Sequence, residues 1–448
     1  MSIKKWFYLK KTDILYRWHK GGAKGVNEDL FAALGMSRDE LEALNFSRFK
    51  KMLAHAFENS PYYHDKYARA GMDPEDIRTP EDIPKIPIMT RQEIKDNREN
   101  ILCRGVNRKK VFLTSTGGST GNPLFFYHES NEPYFYLKHR FLQTIGIEPD
   151  ANGAMVIRRN NTFVNRFKEG MWDWPAKRFS LNAMMITPES IETFLRQAKR
   201  AKLQFLWGYE GGIHHLALFL KNHDIPFPTQ LKAVISTSSP LPVAHRTLFE
   251  QIFHCDVYDQ YGSCEVQWLG TECPCHHGLH IPWDIRRIEI VDPEGNDLPP
   301  GETGDVVVTD LLNYSFPFIR YRNGDRCRML DDDRGDCGIP FPRLDAVKGR
   351  ITDLIKFADG SCIAGDYLTT IFDGYPMAVE AFQVIQRKDR SVELHYVPSS
   401  TPTSQTEIDL VAAALQKLIG NRAVVKKIPE TEIKHDRGKT RFVLSEVE

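Results

Sequence analysis

The sequence predicts an α/β protein in which a large N-terminal domain of mixed sheets precedes a small, mobile α+β C-terminal domain. Short runs rich in β-branched and aromatic residues alternate with helical runs between residues 111 and 258. After Trp283 the pattern changes to a β-meander, which predicts a small β-barrel-like subdomain. From residue 350 onwards, strands and one helix form a separate unit. We therefore predict domains over 1–349 and 350–448, an uneven division that the chain length of 448 residues allows.

The individual elements are predicted in chain order from periodicity and from turn residues. Apolar residues at helical spacing predict an amphipathic helix over 41–57, which Ser60 and Pro61 end. Strands are predicted at 111–113, 124–127, 154–157, 204–207, 233–235 and 256–258, and helices at 188–202, 211–222 and 243–252. The meander consists of 288–291, 306–309 and 318–321. In the C-terminal domain, strands are predicted at 382–386, 392–397, 423–428 and 441–444, and a helix at 407–419.

The charge balance excludes some classes of function. The chain has 59 Lys and Arg against 59 Asp and Glu, so it lacks the basic excess with which nucleic-acid binders release counterions. With 41% hydrophobic and 26% charged residues, it has the composition of an ordinary globular protein. It shows neither a signal-peptide pattern nor a run of about 18 uncharged apolar residues. We therefore expect a cytoplasmic protein with no membrane span and no nucleic-acid partner.

The sharpest local feature is a loop rich in glycine and hydroxyl side chains between two strand-like runs. Its residues are Thr114, Ser115, Thr116, Gly117, Gly118, Ser119, Thr120, Gly121 and Asn122. Glycines let backbone N–H groups approach an anion closely, and hydroxyls can donate to phosphate oxygens. The loop lacks both the Gly-Lys-Ser/Thr ending of a Walker loop and the Gly-x-Gly-x-x-Gly spacing of dinucleotide sites. It predicts a phosphate site of another kind, and a plain surface loop is the alternative.

Four further segments follow this loop in a fixed order. They are 258–265 (Tyr-Asp-Gln-Tyr-Gly-Ser-Cys-Glu), 304–305 (Gly-Asp), 320–325 (Arg-Tyr-Arg-Asn-Gly-Asp) and 349–356 (Gly-Arg-Ile-Thr-Asp-Leu-Ile-Lys), and the chain finishes with 436–441 (Asp-Arg-Gly-Lys-Thr-Arg). Together with the 56–63 and 86–90 stretches, this order resembles the adenylate-forming superfamily. Within that superfamily the chain resembles the phenylacetate–CoA ligase branch, including its relatives encoded in capsular-polysaccharide loci. The resemblance covers nearly the whole chain and depends on the order of the motifs.

The resemblance implies an ATP-dependent, AMP-forming carboxylate ligase. A carboxylate would attack the α-phosphate of ATP with release of pyrophosphate, and the acyl-adenylate would pass to coenzyme A. Residues 115–121 would hold the β- and γ-phosphates, and Glu265 would hold the bridging Mg²⁺. Lys439 would place a mobile positive charge on the attacking carboxylate and the α-phosphate. The other implied nucleotide contacts are Ser238, Ser239, Tyr261, Gly262, Ser263, Asp325 and Arg350, with Tyr261 near the adenine and Asp325 at the ribose hydroxyls.

Departures from the family pattern keep two other functions open. Asn122 stands where the family loop often has lysine, Ser239 where many members have glutamate, and Thr352 where the domain hinge usually has an acid or lysine. One alternative passes the acyl group to an amine, a hydroxyl or a carrier-protein thiol in polysaccharide or natural-product biosynthesis. The other is a non-catalytic homologue that keeps only the nucleotide pocket, against which Glu265 and Lys439 argue.

The acid-binding residues carry a weaker signal than the nucleotide motifs. The resemblance places the acyl pocket near Trp207, Tyr209 and Ser236, and the two aromatic side chains would suit an aromatic or flat acid. A role in the hydrophobic core is equally compatible with both. The sequence therefore leaves the acid, the acceptor and the oligomeric state, monomer or homodimer, undetermined.

A second feature is a cluster of soft ligands outside the nucleotide motifs. The segment 272–280 contains Cys273, Cys275 and His280, and thiolate with imidazole is the ligand set that zinc prefers. One short segment rarely closes a tetrahedral site, so a partner is needed. Cys337 is the natural candidate, with Cys327 next. The sequence predicts a structural zinc site on Cys273, Cys275, His280 and Cys337, and a polar loop with chance cysteines is the alternative.

Overall fold

The computed structural model describes residues 7–11, 14, 26–115, 124–129, 134–157, 173–183, 186–331, 337–347, 354–358, 362–364, 371–372, 375, 378–433 and 443–447. Within these ranges the helices are α1 (Val26–Ala32), α2 (Arg38–Asn59), α3 (Pro61–Arg69), α4 (Arg91–Ile101), α5 (Tyr134–Thr144), α6 (Pro188–Ala201), α7 (Glu210–Asn222), α8 (Val243–Phe253) and α9 (Ser404–Ile419). Short 3₁₀ helices lie at Ala33–Gly35, Pro74–Asp76, Pro80–Lys85 and Gly420–Arg422.

The strands follow the same chain order. They are β1 (Val111–Ser115), β2 (Phe125–Glu129), β3 (Gly153–Ile157), β4 (Arg178–Asn182), β5 (Phe205–Tyr209), β6 (Ala233–Thr237), β7 (Asp256–Tyr261), β8 (Gly270–Thr271), β9 (Leu279–His280), β10 (Arg286–Val291), β11 (Gly304–Asp310), β12 (Tyr321–Cys327), β13 (Arg343–Leu344), β14 (Leu354–Lys356), β15 (Cys362–Ala364), β16 (Val379–Gln386), β17 (Val392–Pro398), β18 (Val425–Pro429) and β19 (Val443–Ser445). Sheets and helices alternate along the chain, and the predicted α/β class is confirmed.

The chain divides into two compact units. The first comprises Met1–Ala151, Phe163–Lys177 and Gln260–Ala346, and the second comprises Asn152–Thr162, Arg178–Asp259 and Val347–Glu448. The division into 1–349 and 350–448 stays a prediction. In the part of the chain that the structure describes, no helix combines the length and the hydropathy needed to cross a bilayer.

In the first unit, the predicted meander forms an antiparallel sheet in the order β10-β11-β12. Helix α2 packs on it because Asn45 donates to the backbone oxygens of Trp283 and Arg286, at 2.5 and 2.9 Å. The start of α2 is fixed by Ser37 and Glu40, which form a capping box. A parallel bridge between Met89 and Tyr321 joins the segment before α4 to β12. The last residues of β7 pair with β8 in the same unit.

The third strand of the meander is displaced from its predicted position, and the prediction of 318–321 was wrong. Strand β12 begins at Tyr321, where the predicted strand ends. Phe316 and Phe318 are fully buried, so the apolar run fills the core without forming a strand. Arg320 has a φ of 47°, a left-handed conformation that interrupts an extended chain.

In the second unit, β3 pairs in parallel with β4 and β5, and β5 pairs in parallel with β6. Helices α6, α7 and α8 cover one face of these strands, and their apolar residues share a core with Leu206 and Val234. The C-terminal part of the unit contains a four-stranded sheet in the order β18-β17-β16-β19. Helix α9 packs on it through Ile408, Val411 and Leu415, all fully buried.

Candidate active site

The end of β7 and the irregular strand β12 bring together a polar network in the first unit. The hydroxyl of Tyr261 donates to Oδ2 of Asp325 at 2.8 Å and accepts from the amide of Asn323 at 2.8 Å. Asn323 also donates to Asp325 at 3.0 Å, and the backbone N–H of Asp325 donates to Asn323 at 2.9 Å. Burial and the Asp325 carboxylate raise the pKa of Tyr261 well above its ordinary value, so this hydroxyl stays a donor. The network fixes the Asp325 carboxylate in one orientation.

Glycine at position 262 keeps this segment close to its neighbours. A Cβ added there would lie 3.1 Å from the amide nitrogen of Gln260 and 3.3 Å from the backbone nitrogen of Trp268. The turn that follows is closed by Ser263, whose hydroxyl accepts from the backbone N–H of Val266 at 3.0 Å. Gly262 and Ser263 therefore lead into a tight, hydrogen-bonded turn over residues 263–266, which contains Glu265.

Glu265 is buried, with 3% of its surface exposed. Its Oε1 accepts from the hydroxyl of Tyr321 at 3.0 Å and lies 3.5 Å from the guanidinium of Arg91. Burial and the Glu265 carboxylate raise the pKa of Tyr321 well above its ordinary value, which keeps the tyrosine protonated as a donor. A buried carboxylate held by a hydroxyl and a guanidinium is a preorganised acceptor for a cation.

The predicted acid-pocket residues and two predicted nucleotide contacts lie in the second unit, at the carboxyl ends of β5 and β6. Trp207 is 5% exposed and Tyr209 is half-buried at the start of α7. The hydroxyl oxygens of Ser236 and Ser238 are buried and have no hydrogen-bond partner among the described residues. Ser238 has a φ of 81°, and Ser239 follows it in a half-buried position. Unsatisfied hydroxyls at the carboxyl ends of parallel strands occupy the place where open α/β sheets bind ligands.

Several predicted residues lie outside the part of the chain that the structure describes. These are Thr116, Gly117, Gly118, Ser119, Thr120, Gly121, Arg350 and Lys439. Ser115 is described as the last residue of β1. The roles of these residues stay predictions from the sequence.

The structure brings together three of the four predicted zinc ligands in the first unit. The ligand atoms of Cys273, His280 and Cys337 lie within 4.8 Å of one another, and Sγ of Cys337 is 3.3 Å from Nε2 of His280. Nδ1 of His280 lies 3.1 Å from the backbone oxygen of Phe341, which requires the proton on Nδ1 and directs the lone pair of Nε2 at the cysteines. Burial lowers the pKa of His280 to about 4, so the ring is neutral and able to ligate at pH 7.

The remaining cysteines near this cluster take other positions. Cys275 is half-buried and its thiol is not part of the cluster, although its backbone N–H donates to the sulfur of Cys273. Burial raises the pKa of the Cys273 thiol to about 12. Cys327, the alternative partner considered from the sequence, donates to the backbone oxygen of Asp345 at 3.1 Å.

Two residues that the sequence analysis did not single out as site residues contact Glu265. Tyr321 is part of the 320–325 motif and of a predicted strand but has no predicted role, and Arg91 lies just after the 86–90 stretch. No local pattern marks Arg91 as a partner of Glu265, because the two lie 174 positions apart in the sequence. For Tyr321 the signal was its place four residues before Asp325 in one motif.

Comparisons with known proteins agree with this arrangement. No protein-family model matches the chain. It is 26% identical over 348 residues to the phenylacetate–coenzyme A ligase of Escherichia coli (strain K12), which covers 71% of this chain and 73% of that protein. It is 22% identical over 419 residues to protein CapK of Staphylococcus aureus, covering 91% and 90%. The structure of 2-hydroxyisobutyryl-CoA ligase in its postadenylation state has a TM-score of 0.76 at 20% identity, covering 92% of this chain and 91% of that one. The predicted resemblance to the adenylate-forming superfamily and its phenylacetate–CoA ligase-like branch is confirmed.

Proposed function

We propose that this adenylate-forming chain, a relative of the phenylacetate–CoA ligases, activates a carboxylic acid with ATP and then transfers the acyl group to coenzyme A. The observation that carries the proposal is the pairing, within one compact unit, of an oriented acceptor at Asp325 with a buried carboxylate at Glu265. These are the groups that a ribose and a phosphate-bound Mg²⁺ require. The relatives reported above include ligases that use coenzyme A, which supports the same reaction.

In the first step, an oxygen of the acid carboxylate forms a bond to the α-phosphorus of ATP, and the bond to the bridging oxygen breaks. Pyrophosphate leaves with the electron pair. Asp325, held by Tyr261 and Asn323, accepts hydrogen bonds from the ribose hydroxyls. Glu265 would hold a Mg²⁺ ion, which would supply positive charge to the β- and γ-phosphates, and the Tyr321 hydroxyl keeps the Glu265 carboxylate in place. Catalysis in this step is positioning and charge stabilisation.

In the second step, the thiolate of coenzyme A attacks the acyl carbon and AMP leaves.

Lys439 supplies the mobile positive charge for adenylation, the first step, a role carried over from the sequence resemblance. We expect Lys439→Ala to lose most adenylation while retaining ATP binding. Adenylation within a few-fold of wild type would rule out that role.

Substrate-dependent pyrophosphate exchange over a panel of aryl, aliphatic, hydroxy and amino acids tests the proposal and identifies the acid. A chain that binds ATP but exchanges no pyrophosphate with any acid would instead be a non-catalytic homologue. Product analysis with and without coenzyme A then decides the acceptor. Acyl transfer to an amine, a hydroxyl or a carrier-protein thiol in the absence of coenzyme A would favour the alternative left open by the sequence. A cytoplasmic location accompanies a reaction that consumes ATP and coenzyme A.

We also propose that Cys273, His280 and Cys337 hold a structural zinc ion. Zinc bonds of about 2.3 Å to sulfur and about 2.0 Å to nitrogen place two tetrahedral ligands roughly 3.5 Å apart. The separation of 3.3 Å between Cys337 and His280 fits that geometry, as do the neutral imidazole and its backbone acceptor. A closed site needs a fourth ligand, for which Cys275 remains the sequence candidate. Elemental analysis of the purified chain tests the proposal, and a protein that contains no zinc and resists chelators would exclude it.

A further inference from the structure

The second unit contains a buried acid–imidazole pair that the proposed reaction does not use. Glu210 is the first residue of α7 and is fully buried, and Oε1 of its carboxylate is bonded to Nδ1 of His245 on α8. The ring of His214 stacks on His245 with centroids 3.8 Å apart. Burying an ion pair costs desolvation energy that the pairing often does not recover, so stability alone does not explain this pair.

The second nitrogen of His245 faces the C-terminal sheet. Nε2 lies 3.0 Å from the backbone oxygen of Glu380, a residue of β16. Both ring nitrogens therefore face oxygen acceptors, a carboxylate on one side and a carbonyl on the other. A neutral imidazole has only one N–H, so both bonds form together only when the ring is an imidazolium.

A second cation holds the same part of the sheet. Lys221, in the last turn of α7, lies 3.2 Å from the carboxylate of Glu380 and 3.3 Å from the hydroxyl of Ser400. Ser400 follows the end of β17, the neighbour of β16. Near the start of β16, His245 thus contacts the backbone oxygen of Glu380, and Lys221 contacts its carboxylate.

We infer that His245 and Lys221 form a proton-gated clasp on Glu380, which holds the C-terminal sheet against α7 and α8 and loosens when His245 loses its proton. The neutral ring keeps its single N–H on the Glu210 carboxylate, because a buried carboxylate without a donor is the less stable alternative. The Glu380 carbonyl then loses its donor. Lys221 alone is a partly exposed ion pair and holds the sheet weakly.

The surroundings of His245 agree with this order of events. Burial lowers the pKa of His245, but the Glu210 carboxylate more than offsets it, so the pKa lies above its ordinary value. The other titratable groups that face the clasp are His214 and Lys221 on α7 and the carboxylate of Glu380 on β16. A group with a raised pKa contributes stability that is present at low pH and is lost as the pH rises through that pKa. The clasp is therefore closed at low pH and opens as the pH rises through the raised pKa of His245.

The clasp bears on catalysis through β16, a consequence that rests on the proposed function. Strand β19 pairs in parallel with β16, with Val443 opposite Val384. Lys439 precedes β19 by only four residues in the sequence. A contact that fixes β16 therefore fixes the point at which the segment carrying Lys439 joins the sheet. Through β16, the clasp makes His245 a positioning residue for the proposed reaction and not a catalytic one.

Cross-linking tests the clasp without any assay of activity. A triazine coupling reagent that joins amines to carboxylates converts the Lys221–Glu380 ion pair into an amide, which is quantified by mass spectrometry of the peptides. The Lys427–Asp409 ion pair within the C-terminal part serves as the internal reference for reagent reactivity. In the wild-type chain, we expect the ratio of the two cross-links to fall about tenfold between pH 6 and pH 9, as expected for loss of a charge-assisted hydrogen bond. A ratio that does not change with pH would overturn the proposal.

Two variants complete the test. Glu210→Gln with His245→Gln removes the buried charges together, which avoids leaving an unpaired carboxylate, and its ratio should be low at every pH. His223→Asn is the matched control, because His223 is an exposed histidine directly after α7, and its ring contacts the backbone oxygen and the ring of Phe219 rather than the C-terminal sheet. Its ratio should follow the wild type. A pH-dependent fall in the cross-link ratio that persists in the double variant would refute the role of His245, whether or not the chain activates acids.

The positioning role is tested by activity. The rate of pyrophosphate exchange relative to that of thioester formation should change several-fold in the double variant and not in His223→Asn. An unchanged relative rate would refute the positioning role.

Discussion

Replacing Glu265 by glutamine separates a catalytic role from a structural one. Glutamine has nearly the same shape and keeps an oxygen that can accept from the Tyr321 hydroxyl, which lies 3.0 Å from the carboxylate. The loss of stability should be about 1 kcal/mol, the difference between a hydrogen bond to a charged group and a neutral one. The proposed Mg²⁺ site, however, loses its negatively charged ligand. We expect kcat/KM for adenylation to fall about 100-fold or more, equivalent to ~2.7 kcal/mol of transition-state stabilisation.

The assay is pyrophosphate exchange at several Mg²⁺ concentrations, combined with the denaturant midpoint of unfolding. Asp284→Asn is the matched control, since Asp284 is also buried and accepts from Arg140 at 2.8 and 3.1 Å but has no predicted contact with nucleotide. It should lose at least as much stability as Glu265→Gln and keep kcat/KM within about threefold per folded molecule. Activity of Glu265→Gln within about threefold of wild type would refute the metal-binding role. An equal loss of activity in both variants would show that the effect is structural.

Other contacts give further testable outcomes. Tyr261→Phe removes the hydroxyl that orients Asp325, so KM for ATP should rise about tenfold, as steady-state kinetics would show. Cys337→Ser should reduce the zinc content from one ion per chain towards zero by elemental analysis, whereas Cys255→Ser should leave it unchanged. The zinc affinity of the wild-type chain should increase as the pH rises, by about tenfold per unit for each thiol proton displaced, as measured by competition with a chelator. Asp310→Ala should lower the free energy of unfolding by about 3–5 kcal/mol, measured from the denaturant midpoint, because it leaves a fully buried arginine without its partner.

Local patterns were sufficient for most of the parallel strands but not for the irregular ones. The runs that predicted β5 and β6 are apolar and buried on both faces, as strands covered by helices are. Strand β12 contains Asn323 and Gly324, which locally indicate a turn. It becomes a strand only through pairing with β11, and the register of that pair is interrupted between Asp305 and Val307. A contact of this kind between distant segments has no signature in the sequence of either one.

Among the site residues, those whose types have a specific chemical role together could be predicted, and those whose types occur in many roles could not. Cys337 could be predicted as a partner of His280 although 57 positions separate them, because cysteines and histidines that occur together commonly bind zinc. Glu210 and His245 were not paired, because each residue type occurs widely on protein surfaces. Of the neighbouring histidines on α7, His214 is buried and His215 is exposed.

The zero net charge has a physical counterpart in the first unit, where buried arginines hold the backbone beside the proposed magnesium ligand. Arg286 is fully buried against Asp310 and donates twice to the backbone oxygen of Gln267, two residues after Glu265, at 3.0 and 3.1 Å. Arg320, the residue before Tyr321, is paired with Glu289. Its guanidinium donates to the backbone oxygens of Pro84, Ile86 and Gly295. Buried ion pairs add little net stability compared with apolar residues of similar volume. Their guanidinium groups, however, provide several donors in a fixed plane, which an apolar side chain cannot replace. We infer that these pairs serve to fix the positions of Glu265 and Tyr321, so that balanced charge in this chain reflects arginines paired with acids inside the fold as well as charges on its surface.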